Sequence, residues 1–140
     1  MSADRQFVDT NVLVYAHDVT AGSKHRRARA LVEELWQSRQ GCLSIQVLQE
    51  FFVITTRKIP EPLEVAAAAE VVDDLAHWHV HIPGPADVRS AIDIHARTGV
   101  SFWDSMILHS AKELGCQLVH TEDLNPGQDY SGVQVHNPFS

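Results

Sequence analysis

The chain has 140 residues, of which 44% are hydrophobic and 21% are charged. These values are close to the averages of globular proteins and indicate neither a disordered nor a fibrous protein. The formal net charge of −7 has the wrong sign for a protein that binds nucleic acid over its whole surface. No apolar run approaches the roughly 20 residues of a membrane span, and residues 1–6 are polar where a secretion signal would be apolar. We therefore expect one domain over residues 1–140, in the cytoplasm and not in a membrane.

The apolar pattern predicts that strands and helices alternate along the chain. Residues 6–8 are predicted to form a short buried strand, which leads into a buried helix or turn. A strand over 42–44 and an apolar helix over 45–56 follow further on. Before the strand over 42–44, spacings of i, i+3, i+4, i+7 and i+8 predict an amphipathic helix, which Gly41 is expected to end. The apolar residues of that helix are Ala28, Leu31, Val32, Leu35 and Trp36.

The second half of the chain continues the alternation. A strand is predicted over 77–82, because Trp78, Val80 and Ile82 alternate with histidines there. Five short strands separated by helices predict an α/β fold, in which a parallel sheet is covered by helices on both faces. The remaining predicted elements are helices over 63–75, 86–97 and 102–114 and strands over 117–120 and 133–136.

Three aspartates lie next to these elements, and each has a structural as well as a functional interpretation. Asp9 follows the first strand and could cap the next helix. Asp104 lies three residues after Ser101, a spacing that resembles a capping box. Asp123 precedes residues 125–127, which have the composition of a turn. For each of these aspartates taken alone, the surrounding sequence is compatible with a structural role and with a catalytic one.

Glu50 is the most unusual acid, because its helical neighbours at i−3, i+3 and i+4 are all apolar. An ionised carboxylate in such surroundings is costly unless a cation or several hydrogen-bond donors meet it. The alternative is that Glu50 belongs to an exposed polar strip with Gln46 and Gln49.

Together, the four acids predict a metal site. In open parallel sheets, ligands collect beyond the carboxyl ends of the strands, which is where Asp9 and Asp123 lie. Mg²⁺ and Mn²⁺ prefer carboxylate oxygens and water as ligands, and the bound cation relieves the repulsion between the acids. A site with one or two such ions can activate water for attack on a phosphodiester.

Two further groups of polar residues have competing interpretations. A basic patch at the start of a helix is either a solvated helix face or a local contact for RNA phosphates. His77, His79 and His81 share one face of a predicted strand. Since no other ligand is close to them in sequence, an exposed histidine edge is favoured over a transition-metal site. The basic patch consists of Lys24, Arg26, Arg27 and Arg29, with His25 between them.

Tryptophans and cysteines are expected to be structural. The tryptophans occur in apolar patterns that favour a place in the core or in an interface over a platform for stacking bases. The two cysteines have no metal-ligand spacing and are expected to be buried, reduced thiols. These residues are Trp36, Trp78 and Trp103, and Cys42 and Cys116.

Four segments of the chain resemble, in order, the motifs of PIN-domain proteins, especially the VapC-type toxins of toxin–antitoxin pairs. The first is FVDTNVLVYA, residues 7–16, which contains Asp9. Residues 44–52, with Glu50, resemble the helix that bears the second acid of the family. The third and fourth are FWDSMI, residues 102–107, and LVHTEDL, residues 118–124. A frequent family ending, VHNPF, closes the resemblance, which therefore spans nearly the whole chain.

The resemblance implies a three-layer α/β/α domain with endoribonuclease activity that depends on Mg²⁺ or Mn²⁺. It also implies an RNA substrate, a homodimer and inhibition by a small antitoxin protein. Glu122 adjoins Asp123, and the sequence leaves open which of the two faces the metal. The alternative function is a catalytically inactive PIN-like module that binds RNA or protein. By position, the implied metal-binding acids are Asp9, Glu50, Asp104 and Asp123, and the residues that orient them are Asn11 and Thr121.

Overall fold

A central sheet organises the part of the chain that our computed structural model describes, residues 4–130 and 132–140. Within these residues the sheet has six strands: β1 (Gln6–Val8), β2 (Gly41–Ser44), β3 (His79–His81), β4 (Leu118–His120), β5 (Asp129–Tyr130) and β6 (Val133–His136). Their order is β3-β2-β1-β4-β6-β5. The first five in that order are parallel, and only the two-residue β5 runs antiparallel to its neighbour β6.

Helices connect the strands and pack in two groups. In the first group α1 packs on α2 and α3, and α3 packs on α4, whereas α5 and α6 pack on each other. Both groups contact β2, through α2 and α3 in the first and α6 in the second. The predicted α/β fold with a parallel sheet of about five strands is therefore confirmed. The helices of the described residues are α1 (Thr10–His17), α2 (Ser23–Ser38), α3 (Ile45–Arg57), α4 (Val65–Leu75), α5 (Pro85–Thr98) and α6 (Phe102–Glu113).

The inner strands have no solvated face, as expected of a parallel sheet with helices on both sides. Phe7, Val8 and Leu43 on these strands are fully buried. The burial of β6, by contrast, alternates, with Val133 and Val135 inside and the residues after each of them exposed. Strand β1 therefore lies in the middle of the core, and whatever follows it is held rigidly. The cysteines Cys42 and Cys116 are buried free thiols, as predicted.

Two predicted boundaries were wrong. Helix α2 ends at Ser38, and its left-handed terminating residue is Arg39 (φ 61°), not Gly41. Gly41 is instead the first residue of β2, where a Cβ atom would lie 2.5 Å from the ring of Trp78. The strand predicted over 77–82 is limited to His79–His81, and Ile82 is 74% exposed. Alternation alone overestimated this strand, because residues 77 and 78 form the turn that closes α4, and β2 gives way to α3 after the residue that pairs with His81.

Replacement of Gly41 by alanine should destabilise the protein. The new methyl group would collide with the Trp78 ring, and overpacking of this kind costs about 1–3 kcal/mol. The free energy of unfolding, measured in urea, should fall by that amount. A double-mutant cycle with Trp78→Leu provides the control, because the smaller side chain leaves room for the methyl group. An equal loss from Gly41→Ala in both backgrounds would show that the ring is not the cause.

Candidate active site

Three aspartates from distant parts of the sequence meet beyond the carboxyl ends of the central strands. Asp9 directly follows β1, and Asp123 follows the neighbouring strand β4. Asp104 lies in the first turn of α6. One carboxylate oxygen from each of the three lies within 4.8 Å of the others. The fold thus gathers three of the four acids singled out in the sequence.

Asp9 is both a helix cap and the most buried member of the group, with 5% of its surface exposed. Its Oδ1 accepts a hydrogen bond from the Thr10 N–H at 2.7 Å, which caps α1 as predicted. Its Oδ2 accepts one from the Thr121 hydroxyl at 2.8 Å. Burial raises the pKa of Asp9 to about 7, with help from the negative charges of Asp104 and Asp123, although both hydrogen bonds act in the opposite direction.

Asp104 likewise takes part both in the start of a helix and in the acidic cluster. Its backbone N–H donates to the Ser101 hydroxyl at 3.2 Å, so Ser101 caps α6 as its spacing predicted. The carboxylate of Asp104 lies in the acidic group. Burial raises the pKa of this carboxyl group, and the charges of Asp123 and Glu50 raise it further. Capping by the neighbouring serine and membership of the cluster are therefore compatible.

Asp123 and Glu122 point to different surroundings. Asp123 accepts a hydrogen bond from Asn11 Nδ2 at 2.8 Å and belongs to the acidic group. Glu122 accepts one from the Tyr15 hydroxyl at 2.6 Å and pairs with Lys24 at 2.9 Å. Although burial acts to raise the pKa of Glu122, these two partners lower it overall. The geometry therefore favours Asp123 as the acid that faces the cluster.

Glu50 lines the same cleft but lies outside the group of three. Its Oε1 accepts a hydrogen bond from the Thr10 hydroxyl at 2.7 Å. Its side chain is half-buried, and one of the apolar neighbours that made it unusual in the sequence, Val53, is 46% exposed. The surroundings of Glu50 are thus more polar than the helical pattern indicated, and Thr10 links it to Asp9.

Asn11 and Thr121 connect the acids to one another. The Thr121 side chain is fully buried, and its hydroxyl donates to Asp9 while it accepts from Asn11 Nδ2 at 3.2 Å and from the Asp123 N–H at 3.1 Å. Since Asn11 also donates to Asp123, the two residues hold both carboxylates in fixed orientations. Such outer partners are typical of metal sites.

The cleft has a volume of about 190 Å³, and most of its lining side chains carry an oxygen atom. Besides the carboxylates, the amide oxygens of Asn11 and Gln46 are buried and accept no hydrogen bond. Unsatisfied buried acceptors are rare and call for a donor or a cation. Clustered carboxylates, acceptors without donors and a raised pKa at Asp9 all fit a hard divalent cation, although they do not identify the ion.

Several residues of the cleft were missed or misassigned in the sequence. Thr10 and Gln46 line the cleft, and only the position of Thr10 between Asp9 and Asn11 gave a signal. Trp103 was expected in the core or an interface, but it is 62% exposed at the edge of the cleft. It is the second residue of α6.

The basic patch of the sequence borders this site. Lys24 reaches Glu122 and lies 4.9 Å from the centre of the Tyr15 ring, which places the start of α2 beside Asp123. Arg29 pairs with Glu33 at 3.6 Å on the surface of α2, and Arg26 and Arg27 are exposed. Arg26 and Arg27 are thus accessible to solvent on the helix that carries Lys24.

Comparison with known proteins assigns the chain to a family. A family model described as PIN domain matches residues 7–127. The chain belongs to the PIN domain family. PIN-domain proteins are nucleases that generally use divalent metal ions, so membership supports a nuclease activity in general terms. No curated protein sequence matches the chain significantly.

Solved structures share the PIN fold at low identity. A toxin–antitoxin complex from Klebsiella pneumoniae has a TM-score of 0.67 at 17% identity, covering 95% of this chain and 97% of that one. DNA-bound VapBC from Salmonella typhimurium has a TM-score of 0.67 at 18% identity, covering 97% and 99%. Mycobacterium tuberculosis VapC20, a toxin that cleaves the sarcin–ricin loop, has a TM-score of 0.60 at 19% identity, covering 81% and 86%. At these identities the similarity shows the fold alone.

A search for membrane spans adds one negative finding. None of the helices in the described residues of this PIN domain is both long and apolar enough to cross a membrane.

The raised pKa of Asp9 predicts that Asp9→Asn will stabilise the metal-free protein at neutral and alkaline pH. A folded-state pKa of about 7, against 3.8 for an ordinary aspartate, means that folding is favoured while Asp9 is protonated and is penalised as the pH rises through 7. Asparagine removes this penalty, which is at most about 4 kcal/mol.

The test is the free energy of unfolding in urea with a chelator present, at pH 8 and at pH 4.5. We expect Asp9→Asn to be more stable than the parent at pH 8 and the difference to shrink at pH 4.5. The exposed Asp93→Asn serves as the control and should show no such trend. A variant less stable than the parent at pH 8 would show that the hydrogen bonds of Asp9 outweigh the cost of its burial.

Proposed function

We propose that this protein is a divalent-metal-dependent endoribonuclease that cleaves phosphodiester bonds in RNA. The observation that supports this most directly is the meeting of Asp9, Asp104 and Asp123 in one cleft of a PIN domain. Three carboxylates this close repel one another, and Asp9 is costly to ionise where it lies. A site that is unfavourable for folding and rich in cation ligands is typical of catalysis.

Mg²⁺ is the proposed cofactor, and Mn²⁺ would fit the same oxygen ligands. Asp9, Asp104 and Asp123 would hold the cation. When bound, it supplies Lewis-acid stabilisation of the negative charge on the phosphate and favours ionisation of water.

The protein's own residues would orient the reacting groups. Thr121 and Asn11 hold the carboxylates of Asp9 and Asp123 at fixed angles. The Thr10 hydroxyl holds Glu50 at the wall of the cleft, where its carboxylate can orient the attacking water and accept its proton. Preorganisation of this kind lowers the barrier because the groups need not move during the reaction.

The surface next to the cleft suits RNA despite the negative net charge. Arg26 and Arg27 are exposed on α2, the helix whose Lys24 pairs with Glu122, and with Lys24 and Arg29 they offer local contacts for phosphates. Trp103 presents an exposed ring at the edge of the cleft, where an unpaired base could stack. Phosphate contacts and stacking suit a single-stranded region of RNA.

We also propose that the protein is the toxin of a VapC-type toxin–antitoxin pair, acts as a homodimer and is inhibited by a small antitoxin. Of the similar structures, one is a toxin–antitoxin complex, one is VapBC bound to DNA and one is the toxin VapC20. An open groove of about 490 Å³ between α3 and α4 is lined by apolar residues and suits an apolar partner segment. Its apolar residues are Ile45, Leu48, Phe52, Val53, Ala69 and Val72.

A catalytically inactive PIN-like module that binds RNA or protein is the alternative. The intact set of acids speaks against it, because a binding module has no need to keep buried carboxylates so close together.

Loss of the Asp9 or the Asp104 carboxylate should abolish RNA cleavage. Asp9→Asn and Asp104→Asn keep the shape of the side chain but remove a ligand charge. Each should lower the cleavage rate by more than roughly 100-fold, since loss of even an outer partner of a metal site costs about 10- to 100-fold. The assay follows total RNA incubated with purified protein and Mg²⁺, with cleavage products mapped to identify the target.

Three controls keep this assay specific. Asp93→Asn changes an exposed aspartate of α5 that pairs with Arg89 and should retain full activity. A chelator should stop cleavage, and added Mg²⁺ or Mn²⁺ should restore it. Undiminished cleavage by both Asp9→Asn and Asp104→Asn, after removal of contaminating nucleases, would refute the proposed metal site.

A second pair of variants decides between the neighbouring acids. Asp123→Asn should lower cleavage strongly, because this carboxylate lies in the acidic group. Glu122→Gln should change the rate by less than about tenfold, because its partly exposed ion pair with Lys24 lies outside the acidic group and its loss costs about 1 kcal/mol or less. The opposite ranking in the same RNA assay would make Glu122 the fourth acid.

A further inference from the structure

A second cluster of metal-ligating side chains lies away from the acidic cleft, where β3, α5 and α6 meet. His81 ends β3, and Asp87 lies in the first turn of α5. His109 and Glu113 are four residues apart on α6 and therefore share one face of that helix. One ligand atom from each of the four residues lies within 4.8 Å of the others.

The distances within this cluster suit a small cation. Asp87 Oδ1 lies 2.7 Å from His109 Nε2 and 3.6 Å from His81 Nε2. A tetrahedral Zn²⁺ bound at about 2.0–2.1 Å keeps its ligand atoms roughly 3.4 Å apart. Only small movements are needed for these three atoms to reach that geometry.

The ligand atoms are also held in orientation by outer partners. His81 Nδ1 lies 2.7 Å from the Ser110 hydroxyl, so its Nε2 is the nitrogen that faces the cluster. Asp87 Oδ2 accepts a hydrogen bond from the Gly84 N–H at 2.7 Å, so its Oδ1 faces the histidines. A second ring nitrogen bonded to a polar group, and a carboxylate anchored by its other oxygen, are typical of metal ligands.

Burial distinguishes this cluster from an ordinary surface group. The side chains of His81 and His109 are 11% and 10% exposed, and that of Asp87 is 19% exposed. The exposed histidine edge expected from the sequence is thus wrong for His81, which is turned toward α6. Glu113 is exposed and lies on the solvent side of the cluster, where an ion can enter.

We propose that His81, Asp87, His109 and Glu113 form a second cation site, which takes a transition metal such as Zn²⁺. Two imidazole nitrogens with carboxylate oxygens suit Zn²⁺, whereas the all-oxygen acidic cleft suits Mg²⁺. The bound ion would join β3, α5 and α6. Since Asp104 lies at the start of α6, the site would also hold the helix that carries this acid.

The test is Zn²⁺ binding to the metal-free full chain, measured by calorimetry with excess Mg²⁺ present to occupy the acidic cleft. We expect one Zn²⁺ per chain, and a bound Co²⁺ probe should show the intense visible absorption of tetrahedral coordination. His81→Gln and His109→Gln should each weaken Zn²⁺ binding by at least the roughly 10- to 100-fold that loss of an outer partner costs. Ser110→Ala should weaken it within that range.

The matched control is His77→Gln, an exposed histidine just before β3 that lies outside the cluster. It should bind Zn²⁺ as the parent does. Because His109 is buried, the exposed Glu113→Gln gives a second variant whose folding is not at risk, and circular dichroism checks each fold. Unchanged Zn²⁺ affinity in His81→Gln, His109→Gln and Glu113→Gln, or an equal loss in His77→Gln, would overturn the proposal. Mg²⁺-dependent RNA cleavage by His81→Gln is measured as well. This second assay distinguishes failure of the Zn²⁺ site from failure of the proposed nuclease activity.

Discussion

The carboxylate of Asp9 is the group on which the rest of the site depends. It stands directly after the central strand β1, buried, with one oxygen on the Thr10 N–H and the other on the Thr121 hydroxyl. The first bond starts α1 and the second ties the end of β1 to the end of β4. The same contacts that close the fold at this edge thus aim the acid, and its burial raises its pKa to about 7. A stable core would not favour such a group, which is why a function is the better explanation for it.

Short polar side chains, and not further buried charges, connect Asp9 to the other acids of the site. Thr10 carries the contact to Glu50, and Thr121 with Asn11 carries it to Asp123. Each link joins an element from a different part of the chain, so the acids cannot spread apart unless strands or helices separate. The folded protein therefore keeps these carboxylates close together in spite of their repulsion. The buried amide oxygens of Asn11 and Gln46, which accept no hydrogen bond, also favour the binding of a cation. Glu122 lies outside this network, because its carboxylate accepts a hydrogen bond from the Tyr15 hydroxyl and pairs with Lys24.

The sequence was a poor guide wherever the outcome depended on a partner across space. Glu122 and Asp123 are adjacent and chemically similar, and only the positions of Asn11, Tyr15 and Lys24 separate them. His81 looked like part of a solvated edge, because its ligand-like neighbours Asp87 and His109 arrive from two helices later in the chain. Trp103 was expected in the core or in an interface, and its exposure, which an apolar sequence pattern does not reveal, excludes the core. Helix and strand boundaries erred by a few residues for the same reason, as at Gly41, whose close neighbour is Trp78.

Local chemistry, by contrast, could be predicted from the sequence alone. Hydrophobic period and turn residues are properties of consecutive residues, so the alternation of strands and helices, the parallel sheet and the caps at Asp9 and Ser101 could be anticipated. The motif around Asp9 also indicated the family whose model matches residues 7–127. Tertiary structure decided which carboxylates share a cleft, which of them is costly to ionise, and which histidines meet an acid. Distances between side chains and their removal from water are set by packing between elements, and no run of neighbouring residues encodes them.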